Sequence, residues 1–128
     1  MPWPVDWEAR FSGEGCGLCA EGRPENPPRG PRIFEGVYSD AYLRSSGVQR
    51  GWAVVIWRGR HVVEPFGLSE EEAAGFWREV RLVGKAMQAH YRPLKMNHQF
   101  LGNRDRTSTR SSPPALRMTC FLAIRSRR

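Results

Sequence analysis

Apolar residues recur every three or four positions through "SEEEAAGFWREVRLVGKAMQAHY", which begins at Ser69. Ala73, Phe76, Trp77, Val80, Val83 and Met87 fall on one face of a 3.6-residue helix. Ser69 with Glu72 three positions on makes a capping box, and Glu70, Glu71 and Glu72 lie where the helix dipole favours negative charge. The spacing predicts a long helix ending near His90, because Pro93 disfavours helical backbone at Arg92. Elsewhere the period is shorter. "RIFEGV", Arg32 to about Val37, alternates as a strand does, and a second strand begins near Ala41. "GWAVVIW", Gly51 to Trp57, is a β-branched and aromatic run of the buried-strand kind. After the helix, "LKMNHQFLG" resumes a strand. Beyond Asn103 the apolar period vanishes until "CFLAI", Cys120 to Ile124. Hairpin-linked strands and one long helix predict an α+β fold with an antiparallel sheet.

The remaining stretches set the boundaries. Residues 1–15 read as a loose arm, and "EGRPENPPRGPR", Glu21 to Arg32, is too rich in Pro and Gly for regular structure. A domain therefore runs over 16–103, with 104–128 a basic, disordered tail. The net charge of +7 supports this division, since +6 of it falls in 104–128 and only +1 in 1–103. A charge confined to a tail is usually solvated, which argues against nucleic acid as the main partner; an arginine tail binding DNA or RNA stays an alternative. No apolar run reaches the roughly 20 residues of a membrane span, and "MPWPVDWEARF" has no basic start or apolar core of a signal peptide. A cytoplasmic location is expected. Three cysteines, two of them in "CGLC", then favour a metal or reduced thiols over disulfides.

Four stretches in order resemble the histidine-triad (HIT) superfamily of nucleotide hydrolases and transferases. They are "CGLC", "GWAVVIWRGRHV", the Ser-Glu-Glu-Glu helix and "KMNHQFLGN", and together they span roughly 16–103. The last is close to the bacterial dinucleoside-polyphosphate-hydrolase-like members. The resemblance implies a homodimer acting on nucleotides or dinucleoside polyphosphates. It implies structural zinc held by Cys16, Cys19 and His61, with a fourth ligand from the triad's first histidine. It also implies phosphate contacts from Asn97 and Asn103. The family's ribose-binding acid has no counterpart, because Arg44 stands at that position and Asp40 lies out of place. Trp52 and Trp57 could stack on a base, but aromatics in such a run are more often core.

In the family, Leu-Gly-Asn is followed after two residues by Pro-His-x-His-x-His, whose middle histidine attacks the α-phosphate. Here Asn103 is followed by Arg104, Asp105, Arg106, Thr107, Ser108 and Thr109, none of which replaces an imidazole nucleophile. No catalytic residue is therefore assigned, the catalytic strand is expected to be missing or non-native, and the chain is expected to be inactive. A non-catalytic nucleotide-binding or dimerisation module is the alternative. A frameshift explains the break. With 18 arginines against two lysines the gene is expected to be GC-rich. If the codons of Asp105, Arg106, Thr107 and Ser108 end in C, regrouping them by one base spells Pro-His-Leu-His, and a single lost base restores the family's spacing.

Overall fold

The structure is a computed structural model that describes residues 16–44, 51–100 and 119–125. The expected arm at 1–15, Asn103 and residues 104–118 lie outside the described residues. The elements run in the predicted order, preceded by one short turn of helix. They are α1 (Gly17–Ala20), β1 (Arg32–Glu35), β2 (Ser39–Leu43), β3 (Trp52–Trp57), α2 (Glu70–Tyr91), β4 (Lys95–Phe100) and β5 (Thr119–Arg125). The five strands form one sheet in the order β1-β2-β3-β5-β4, every neighbouring pair antiparallel.

β3 is central, and Ala53 to Trp57 are all buried. That is why its sequence is a continuous apolar run rather than an alternating one. Its pleat divides two cores. Ala53, Val55 and Trp57 face α2 together with Ala41 and Leu122, against Phe76, Val80, Val83 and Met87 of the helix. Val54 and Ile56 face the other way with Tyr42, and Leu18 of α1 covers them. Each such aliphatic side chain contributes about 1.5–3 kcal/mol on burial.

The helix begins as expected. Ser69 Oγ accepts from Glu72 N–H at 3.1 Å, and Glu72 Oε1 accepts from Ser69 N–H at 2.8 Å. It ends one residue beyond His90, where Arg92 adopts the left-handed conformation at φ 47° and its N–H reaches Gln88 O at 2.9 Å. Two side-chain expectations change. Trp77 is 43% exposed, at the rim of the apolar face, with its ring edge-on to both Phe76 and Phe100. Gly75 and Glu79 are buried instead. A Cβ at Gly75 would run into the Tyr38 ring, so glycine there lets α2 approach the β1–β2 turn.

Within the stretch expected to be a tail, Thr119–Arg125 form β5. Residues 119–125 pair with β3 on one side and β4 on the other, Leu122 opposite both Ala53 and His98. The physical reason is burial. With β4 at the far edge, the slot beside β3 would leave ladder hydrogen bonds unmade and the α2 core short of a wall; Leu122, fully buried, fills it. No helix among the described residues is long and apolar enough to cross a membrane.

Candidate metal centre and its setting

α1 is a single helical turn, opened by Cys16 in extended backbone at φ −71° and ψ 114°. Cys16 Sγ accepts from the Cys19 N–H at 3.4 Å, so the Cys-x-x-Cys spacing folds both sulfurs to one side of the turn. β3 runs out through Arg58, Gly59 and Arg60 and delivers His61 to the same place. Cys19 Sγ and His61 Nδ1 are 3.2 Å apart. One ligand atom from each of Cys16, Cys19 and His61 lies within 4.8 Å of the others. The three residues expected to hold zinc are thus brought together, although Cys19 and His61 stand 42 positions apart in the chain.

The donor set suits the ion. Two thiolates and an imidazole are the usual ligands of tetrahedral zinc, at roughly 2.0–2.3 Å from the metal. Donors on such a sphere stand between about 3 and 4 Å apart, close to the separation seen here. Burial pushes the Cys16 thiol above its ordinary range, partly offset by the backbone N–H groups of Cys19 and Leu18. A coordinating cation reverses that balance, because a bound thiol is deprotonated. A fourth protein donor is not among the described residues grouped with these three.

The two asparagines fare differently. Asn97 lies on the edge strand β4, exposed, opposite Ala123. Asn103 lies outside the described residues. His98 is also exposed, and His90 sits at the end of α2 with its ring edge-on to Tyr91. Trp57 belongs to the core, and its Nε1–H donates to Arg60 O at 2.7 Å.

The sheet face beneath α1 holds residues that the sequence reading did not single out as functional. Asp40 is fully buried. Its carboxylate accepts from Arg23 Nε at 2.9 Å, Arg23 Nη2 at 2.7 Å and Arg58 Nε at 3.1 Å. Arg58, with a side chain only 3% exposed, also donates to Leu18 O and to Glu21 Oε1, each at 3.2 Å, and to Tyr42 Oη at 3.0 Å. Arg29 pairs with Glu21 and stacks over the Tyr42 ring at 4.8 Å. No periodic pattern betrays such a group. The one available signal was a charged residue beside each apolar run, Asp40 near the start of β2 and Arg58 just past the end of β3.

An antiparallel five-stranded sheet, backed on one face by a long helix, is the fold of the HIT family proteins among solved structures. A HIT family protein from Bacillus anthracis superposes with a TM-score of 0.64 at 19% identity, over 89% of this chain and 75% of that one. A member of the HIT family from Bacillus subtilis gives 0.63 at 20% identity, over 86% and 72%. The histidine triad nucleotide-binding protein of Candida albicans gives 0.56 at 11% identity, over 88% and 76%. At these identities the likeness is one of fold. No protein-family model and no curated protein sequence matches the chain.

Proposed function

We propose that this chain is a HIT-type nucleotide-binding protein that does not turn nucleotides over. The motifs "KMNHQFLGN" and "CGLC" and the HIT fold support the first half. Within that reading the chain is nearest the dinucleoside-polyphosphate-hydrolase-like branch and acts in the cytoplasm. The observation that carries the second half is β5. It is the next described strand after β4, and it reads Thr119–Arg125 without a histidine. The three histidines of the chain are accounted for elsewhere: His61 stands at the metal centre, while His90 and His98 are exposed on α2 and β4. His61, His90 and His98 stand nowhere two positions apart, the spacing on one strand face that a nucleophile flanked by a charge-stabilising partner needs.

Nucleotide phosphate would meet the amides of Asn97 and Asn103, each able to donate to a phosphoryl oxygen. Zinc at Cys16, Cys19 and His61 would supply structural charge and cross-linking rather than reaction chemistry. A homodimer is part of the same reading. Among the described residues β4 pairs on one side only, and Leu94 and Phe100 are exposed near it, with Trp77 beside Phe100.

The test is a pair of measurements on the 128-residue chain. Calorimetric titration with a nucleoside monophosphate should give saturable binding. Incubation with a dinucleoside polyphosphate or a nucleoside phosphoramidate should give no product above a buffer blank. Turnover that persists when His61, His90 and His98 are each replaced would sink the inactive reading, and absence of any nucleotide binding would sink the other half.

A further inference from the structure

The polar group beneath α1 has a common target. Beyond the sheet and each other, the side-chain partners of Arg58 and Asp40 among the described residues lie at or just after the turn that carries the two cysteines. Arg58 reaches Leu18 O, between Cys16 and Cys19, and Glu21, at the end of α1. Arg23, two residues further, is drawn onto Asp40 by both Nε and Nη2 and also donates to Gly36 O at 2.7 Å.

A four-residue helix cannot hold itself. Its two internal bonds, from Ala20 N–H to Cys16 O and from Glu21 N–H to Gly17 O, are far too few to offset helix nucleation. Its shape must be imposed from outside. Leu18 on the Tyr42, Val54 and Ile56 cluster gives apolar adhesion without direction. Arg58 gives direction, because a planar guanidinium spreads its donors in a fixed fork. The fork is itself fixed, its Nε on Asp40 and its backbone N–H on Tyr38 O at 2.8 Å. His61 follows three residues later on the same chain exit. One short stretch therefore carries both the clamp on the cysteine turn and the third donor.

We propose that Arg58, charge-balanced by Asp40, is the positioning residue of the metal centre: it holds the Cys16–Cys19 turn at the separation from His61 that a tetrahedral cation requires. The inference rests on the metal reading above and adds to it the residue that sets the affinity. Partners that orient metal ligands typically change affinity by about 10–100-fold when lost.

The experiment titrates the full chain, kept reduced, with cobalt(II), whose visible bands report tetrahedral thiolate coordination, and then displaces it with zinc. R58K is the main variant. Lysine keeps the positive charge for Asp40 but is a point donor and cannot span Asp40, Leu18 O and Glu21 together. Expected is cobalt and zinc binding weakened about tenfold or more, with the metal-free unfolding midpoint close to that of the wild type. Should R58K fail to fold, E21Q decides. It removes the charge of a side chain 25% exposed at one tine of the fork, and a several-fold weaker metal affinity is expected. Wild type and variants of equal affinity overturn the positioning role alone. So does a loss of affinity matched by an equal loss of metal-free stability, which is what a merely structural arginine would give. A wild type with no tetrahedral cobalt bands overturns the metal centre and this inference with it, whereas C19S losing metal that R58K still binds weakly supports both.

Discussion

Glu79 is a helix residue on the face turned to the sheet, yet it is only 7% exposed. Its two carboxylate oxygens accept from the Tyr38 N–H at 3.0 and 2.9 Å, and one of them from Ser39 Oγ at 3.3 Å. It thus ties the middle of α2 to the turn between β1 and β2, where Gly36 leaves room for it. Glu79→Ala leaves a backbone donor and a buried hydroxyl without their acceptor. A loss of about 1–3 kcal/mol is expected, read as a lower denaturant midpoint with an unchanged slope. Glu79→Gln keeps one carbonyl acceptor and should lose less. A midpoint unmoved by Glu79→Ala would show that water replaces the carboxylate. Residues of this kind are what the sequence concealed. Cys16, Cys19 and His61 were legible because ligand types at short spacing are rare. Asp40, Arg58 and Glu79 were not, because their partners lie up to 41 positions away and carry no local signature. The exposure of Trp77 has a similar origin. Periodicity gives the direction of a side chain, but only the width of the contact decides which flank of the stripe stays wet.

The long helix was the most legible element, because periodicity, capping box and the following proline all point to a helix that ends within one residue of the observed Glu70–Tyr91. Its N-terminus makes two expectations concrete. Ser69→Ala removes the acceptor for Glu72 N–H and should cost about 1 kcal/mol in thermal or denaturant unfolding. The same end is pH-dependent. The Arg60 guanidinium, whose Nη2 lies 2.7 Å from Glu72 Oε1, holds the Glu72 carboxyl below its ordinary range, helped by the Ser69 N–H. A carboxyl depressed in the folded state stabilises the fold above its unfolded pKa, about 4.3, and that contribution is lost as pH falls through the folded value. Arg60→Ala should therefore lower stability near neutral pH and flatten the acid limb, bringing mutant and wild type together in strong acid. Equal midpoints at pH 7 would refute it, and the effect should shrink in high salt because both groups reach solvent. β5 was the least legible element. A short apolar run says that something is buried, but strand pairing is set by partners distant in sequence, here β3 and β4. The arginines around it pulled the reading towards a tail.

At the scale of the whole molecule, the sheet needs a strand between β3 and β4, and this chain supplies Thr119–Arg125. The resemblance supplies a different strand, beginning two residues after Leu-Gly-Asn and bearing histidines. The two are alternatives for the same gap in the reading frame. Inserting one base after the Asn103 codon should make the bases from the end of the Asp105 codon into the Thr109 codon read Pro-His-Leu-His and change everything downstream. The restored chain should lose the Thr119–Arg125 strand and place its histidines in the sheet instead. It should then hydrolyse a dinucleoside polyphosphate by attack of the second restored histidine, which the present chain should not do. It should also hold zinc more tightly, because the first restored histidine supplies a fourth donor to Cys16, Cys19 and His61. Ala in place of the second histidine should abolish hydrolysis and spare zinc. That separation matters, because a general gain in folding would raise both together. The cheapest check precedes all of these. The codons of Asp105, Arg106, Thr107 and Ser108 should end in C, and if two or more do not, the regrouped motif disappears. The C-terminal strand is then the native partner of β3, and a HIT-like fold without a histidine nucleophile is what the proposed binding-only role requires.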